Sequence, residues 1–160
     1  MKIIKLLCLI ICTALCLTLF SGCSSNDSYI IYFELDSAPK TLDPQLVSTA
    51  SEEILTRNLF EGLMRQNENG EIVKGAAKDY SVSNDGKTYT FTLRDGIKWS
   101  DGTDLKAKDF VFGFERAVDP KNKAPYVASL YGIVGAKDIA TGKKSGGLGV
   151  TASSDNTLTI

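Results

Sequence analysis

Histidine is missing from all 160 residues. Its absence removes the usual general base, the side chain that ordinarily titrates near neutral pH, and the commonest metal ligand. Acid–base chemistry would have to rest on carboxylates, and the available pairs are poor. Glu52 and Glu53 are adjacent and point to different faces of a helix, while Asp101 stands in a turn, where aspartate is expected for backbone reasons. No nucleophile is matched to a base, so no enzyme is expected, and neither a metal nor a cofactor. A basic excess is missing too: the net charge is −1, whereas a duplex-binding domain carries a strong positive balance. Nucleic acid is therefore not an expected partner. Beyond Cys23 there is no cysteine, so the rest of the chain can form no internal disulfide.

What remains is the composition of a folded domain, 43% hydrophobic and 23% charged. The start is different. MKIIKLLCLIICTALCLTLFSGC opens with Lys2 and Lys5, continues as an apolar run from Leu6 to Phe20, and ends in Ser21 and Gly22 before Cys23. The run is shorter than the roughly 20 residues that a membrane-spanning helix needs, and reads as a secretory signal over residues 1–22. The end of this segment resembles a lipobox, the processing motif of bacterial lipoproteins, although Phe20 stands where leucine is usual. The resemblance implies export, with the chain anchored by a lipid on Cys23 to the outer face of the cytoplasmic membrane. Cys8, Cys12 and Cys16 lie inside the discarded segment and read as small apolar filler. Residues 23–28, ending in SSNDS, read as a short flexible tether.

The remainder alternates between the strand and helix periods. YIIYFEL at 29–35 reads as a buried strand, broken by Pro39 and Pro44. A helix is expected over 51–62. Thr49 and Glu52 form its capping box, Ile54, Leu55, Leu59 and Leu63 its apolar face, and Gly62 its stop. Leu63-Met64 and Ile72-Val73 flank the turn residues 67–70, and Tyr80-Ser81-Val82 is joined through Asn84-Asp85-Gly86 to Tyr89, Phe91 and Leu93. Two hairpins of one antiparallel sheet are expected. A second helix, 107–118, places Phe110, Val111, Phe114 and Val118 on one side before Pro120. Leu148-Gly149-Val150 and residues 157–160 flank Asp155-Asn156 as a third hairpin, whose last strand stops in mid-alternation. A truncated chain is the expectation there, with an exposed strand edge at 157–160. Trp99 stands between the turns Asp95-Gly96 and Asp101-Gly102. Its indole is expected to close the end of the 89–93 strand against Phe110 and Phe114 rather than to stack on a ligand.

Four segments in order, TLDPQ at 41–45, NLFEGLM at 58–64, YTFTLRDGIKWSDGTDLKAKDFVF at 89–112 and LGV at 148–150, together resemble the peptide and nickel class of extracytoplasmic solute-binding proteins, and within it the oligopeptide-binding proteins of ABC importers. The resemblance implies a mixed α/β fold of the periplasmic-binding-protein-like class II, two-lobed and three-domained. Residues 29–60 would begin the first lobe and 61–160 would form an extra, incomplete α+β domain. It further implies an oligopeptide ligand and membrane permease subunits as partners. In those relatives the loop after the LDP motif offers backbone groups to the peptide main chain, which carries over here to Ser48, Thr49 and Ala50. Tyr126 matches a tyrosine near the ligand. A sugar, nickel or haem binder of the same class, and a surface lipoprotein without transport, are the alternatives. With the second lobe unmatched, the chain is expected to offer a peptide one face, at an affinity no tighter than roughly the millimolar level.

Overall fold

The computed structural model describes Tyr32 and residues 34–160, so the signal segment expected over 1–22, Cys23 and most of the strand expected over 29–35 lie outside the described residues. Residues Leu35–Ile160 form one compact unit. Its elements are α1 (Ala50–Leu59), β1 (Met64–Gln66), β2 (Ile72–Lys74), β3 (Ala77–Val82), β4 (Tyr89–Leu93), α2 (Ala107–Val118), a 3-10 turn (Val127–Leu130), α3 (Ala136–Ala140), β5 (Thr151–Ser154) and β6 (Thr157–Thr159).

Four strands form an antiparallel sheet in the order β3-β4-β6-β5. Alternation sorts its side chains. Tyr80 pairs with Phe91, Phe91 with Leu158, and Leu158 with Ala152, which makes one apolar row across the sheet. Ser81, Thr90, Thr159 and Thr151 form the neighbouring row, so hydroxyl groups take the opposite face. The Tyr80 and Phe91 rings stack with centroids 5.7 Å apart. Ala77, Phe91, Leu93, Ala107, Val150 and Leu158 make the buried core, and Phe110, Val111 and Phe114 of α2 pack against it. The face expected for α2 is therefore the face it uses, with Val118 fully buried at its end.

Three expectations are corrected. Strands β1 and β2 form a separate two-stranded sheet rather than joining the larger one. The chain after β2 folds back on the segment preceding β1: the amides of Gly75 and Ala77 donate to the Leu63 carbonyl at 3.0 and 3.1 Å, and that of Ala76 to Gly62 at 2.9 Å. This approach leaves no room for a side chain at Gly75, where a Cβ would stand 2.4 Å from the Gly62 carbonyl oxygen. The third hairpin begins later than expected, because Gly149 donates to the Val134 carbonyl at 2.7 Å and Val150 enters the core, which ties 148–150 away from β6. Residues 157–160 are likewise not an edge. β6 lies between β4 and β5, and Ile160 exchanges two backbone hydrogen bonds of 2.8 Å with Tyr89.

Helix α1 departs furthest from its expected face. Ile54 and Leu59 are 44% and 60% exposed, and the buried stripe is Ser51, Glu52 and Thr56. The helix also ends at Leu59, with Phe60 already extended and donating its amide to Thr56, so Gly62 is not its stop. The cause of the inverted face is the Glu52 carboxylate, whose acceptors fix the preceding loop.

Candidate functional site

The loop proposed from the resemblance, Ser48 to Ala50, is exposed, and the Glu52 side chain determines its shape. Thr49 is extended, and its hydroxyl accepts from the Glu52 amide at 3.3 Å while the Glu52 carboxylate accepts from the Thr49 amide at 3.1 Å. This is the capping box that the sequence announces. Glu52 does more. The same carboxylate accepts from the Ser48 amide at 2.9 Å and the Lys40 amide at 3.0 Å. Three backbone amides and the positive end of α1 therefore converge on one carboxylate, which itself is 1% exposed. The Ser48 amide above all, then those of Lys40 and Thr49, hold its pKa down to about 2 against the opposing effect of burial.

These bonds decide what the loop can offer to a ligand. The amides of Ser48 and Thr49 are occupied, and the Thr49 carbonyl accepts from Glu53 at 3.0 Å. Ala50, the first residue of α1, carries one of the amides that a helix leaves without an internal partner, and no described residue accepts from it. An amide without a partner at a helix N-terminus suits a peptide carbonyl or a terminal carboxylate.

Tyr126 belongs to a different segment of the chain. It precedes the 3-10 turn, is 64% exposed, and its carbonyl accepts from Ser129. Neither Tyr126 nor the Ser48–Ala50 loop lines the clefts of about 680, 610 and 730 Å³.

The TLDPQ segment serves as an anchor. Arg116 of α2 reaches both carboxylate oxygens of Asp43, with Nη1 donating to Oδ1 at 2.9 Å, and also donates to Gln45 Oε1 at 3.1 Å. Gln45 in turn donates to the Gly113 carbonyl at 2.7 Å and accepts from Asn122 at 2.9 Å. The Arg116 guanidinium holds the Asp43 carboxyl below the usual carboxylate range. Arg116 and Asn122 thus fix the segment leading into the loop, a role that no local pattern around either residue assigns to them. The only available signal is the occurrence of TLDPQ itself.

Trp99 is also corrected. The indole is absent from the core cluster; 43% exposed, it forms a wall of an open cleft of about 680 Å³, its N–H 3.4 Å from the Asp109 carboxylate. The turns on either side are as expected, with Gly96 and Gly102 at φ 69° and 87°. Among the described residues no group of three or more ligating side chains could hold a metal, and no helix is long and apolar enough to cross a membrane.

Residues 71–160 match the bacterial extracellular solute-binding proteins, family 5 Middle, and the chain belongs to that family. It is 48% identical over 125 residues to the periplasmic murein peptide-binding protein MppA of Escherichia coli, an alignment that takes in 76% of this chain and 23% of that protein. Among solved structures it resembles Haemophilus influenzae OppA in complex with the peptide RPPGFSPFR, at TM-score 0.72 and 38% identity, covering 76% of this chain and 24% of the other. The substrate-binding domain of an oligopeptide ABC transporter from Bacillus anthracis gives TM-score 0.72 at 37% identity, over 74% and 23%. The chain spans about a quarter of the length of the relatives it matches.

Proposed function

We propose that this chain belongs to the ligand-capturing component of an oligopeptide ABC importer, an exported lipoprotein that presents peptides to membrane permease subunits. Residues 29–60 begin the first lobe in this reading, and 61–160 belong to an additional α+β domain. The loop at Ser48, Thr49 and Ala50 meets the peptide main chain, and Tyr126 contributes from its own loop. The observation that carries the reading is the family match with peptide-named relatives, together with an exposed residue, Ala50, whose amide no described residue accepts from. Main-chain recognition accepts any side-chain sequence, which suits an importer of mixed peptides.

The test is a full-length chimera in which residues 35–160 replace the matching quarter of MppA. Calorimetry with a library of di- to pentapeptides should give binding at about the micromolar level, roughly −8 kcal/mol. A folded, secreted chimera that gives no heat with any peptide contradicts the proposal.

Lipid attachment is tested separately. Cys23→Ser should abolish incorporation of labelled fatty acid and release the protein from the membrane fraction. If the wild type takes up no label and the variant fractionates as it does, Cys23 is not a lipid attachment point.

A further inference from the structure

The turn between β1 and β2 holds a pairing that occurs nowhere else in the chain: Asn69 is the only asparagine followed by glycine. Both residues are exposed, and Gly70 has a φ of 84°. The side-chain amide carbon of asparagine is an electrophile, and the next backbone nitrogen can close a ring on it. Glycine at that next position adds no side chain to block the approach and lets the backbone rotate into it. The surroundings separate Asn69 from its rivals. Asn67 is held at both ends: its Oδ1 accepts from the Asn69 and Glu71 amides at 3.0 and 2.9 Å, and its Nδ2 donates to Glu71 Oε2 at 2.9 Å. Asn58 and Asn122 donate to Ile54 and Gln45, and Asn156 accepts from Ser154 and Thr157. Asn84 is followed by Asp85, whose side chain crowds the attacking nitrogen. Among the described residues no hydrogen bond engages the Asn69 side chain, whose backbone amide alone is tied to Asn67.

The Asp-Gly turns are open in principle to the same ring closure, but their carboxylates are held against it. Asp85 Oδ1 accepts from the Ser83 hydroxyl and the Lys87 amide, and Asp101 Oδ1 from the Thr103 hydroxyl and amide. Those hydroxyls above all keep both carboxyls below the usual carboxylate range. Both oxygens of Asp95 accept from Lys78 Nζ. An ionised carboxylate is a poor electrophile, so these turns resist. At Asn69 the opposing contact is the Gly70 amide, which donates to the Asn67 carbonyl at 3.0 Å. That bond lies at the tip of a separate two-stranded sheet with three residues in each strand, a unit that opens locally at little cost. We propose that Asn69 is a site of spontaneous backbone modification. The Gly70 nitrogen gives its proton to hydroxide and bonds to Asn69 Cγ. The Cγ–Nδ2 bond breaks, and the departing nitrogen takes a proton from water and leaves as ammonia. Water then opens the cyclic imide at either carbonyl, to aspartate or to isoaspartate. Isoaspartate carries the main chain through its Cβ and so lengthens the turn that Asn67 fixes, and either product adds a negative charge between Glu68 and Glu71. This proposal is independent of the peptide reading.

Incubation of the full chain in mildly alkaline heavy-oxygen water, followed by peptide mapping, tests it. Fragmentation of the tryptic peptide spanning residues 66–74 distinguishes Asn67 from Asn69. Asn69 should convert first among the described asparagines, with isoaspartate the larger product, heavy oxygen incorporated, and an acidic shift of a single charge on isoelectric focusing. The rate should rise in step with hydroxide, because the attacking nitrogen must lose its proton. Asn69→Ser keeps a polar residue in the exposed turn, and should abolish the early acidic shift while melting with wild type. In the converted protein, amide exchange should quicken in β1 and β2 but not in β4 and β6, which belong to the other sheet. An Asn69 that stays intact in the folded chain while the urea-unfolded chain converts overturns the proposal, because the turn then protects the residue. Conversion of Asn67 or Asn84 ahead of Asn69 also overturns it. Aspartate formed without isoaspartate would mean direct hydrolysis of the side chain, with no ring closure by Gly70.

Discussion

Replacing Glu52 with alanine should unfasten the start of α1 and the loop before it, a loss larger than that of an ordinary helix cap. An N-cap substitution removes one acceptor, typically about 1 kcal/mol. The Glu52 carboxylate instead serves the amides of Lys40, Ser48 and Thr49, and its removal leaves those amides without partners beside a cavity. Circular dichroism should show a lower melting temperature for Glu52→Ala than for Thr49→Ala, which loses only the bond to the Glu52 amide. The same site predicts a pH dependence. The folded pKa of about 2 lies below the ordinary value of 4.5, so the group's contribution is full above about pH 4.5 and is lost as the pH falls toward 2. Glu52→Gln should be less stable than wild type at pH 7, and the gap between their melting temperatures should close across that acid window. A gap that stays constant from pH 7 to pH 2 would show that the carboxylate is not held by those amides.

Leu158→Ala should be the most damaging change in the sheet. Leu158 is fully buried, stands between Phe91 and Ala152, and has α2 over it, so little can collapse into the space it leaves. Deletions of this kind cost about 2–5 kcal/mol, and the central position of β6 puts this one at about 3–4. Phe112→Ala on the outer side of α2, 65% exposed, should change stability by no more than about 0.5 kcal/mol. Urea midpoints of the two variants measure the contrast. Similar midpoints would mean that α2 faces the sheet through a different side.

The parts of this fold that are legible in the sequence are those decided within a few residues. Asn84-Asp85-Gly86 and Asp155-Asn156 each announce a hairpin through their own backbone chemistry, and Thr49 with Glu52 announces the start of α1. The period of Phe110, Phe114 and Val118 marks the inner face of α2 for the same reason. What long-range pairing decides is not legible. Nothing near Tyr89 says that Ile160 bonds to it, and so no local pattern reveals the place of β6 between β4 and β5. The hydrophobic pattern of α1 misleads, because Ile54 and Leu59 mark its helical period but not its buried side. A polar group with Glu52 at its centre takes that side, and one of its partners, Lys40, is twelve residues away. Trp99 departs from the general expectation that large aromatic rings belong in cores. The candidate site is legible only through the resemblance at 41–45, and the structure contributes the reason why Ala50, of the three loop residues, has its amide available.

That amide allows the most direct measurement of peptide capture through the main chain. Ala50 occupies the first helical position, where proline is tolerated because the amide has no helical partner, and Thr49 before it is already extended. Ala50→Pro should therefore remove the donor while keeping α1. In the MppA chimera carrying residues 35–160, calorimetry should show peptide affinity about tenfold weaker for Ala50→Pro, equivalent to roughly 1.4 kcal/mol, with Ala50→Ser unchanged and both variants melting with wild type. Equal peptide affinity for Ala50→Pro and wild type would contradict the account, because it would show that the loop at Ser48 to Ala50 does not hold the ligand.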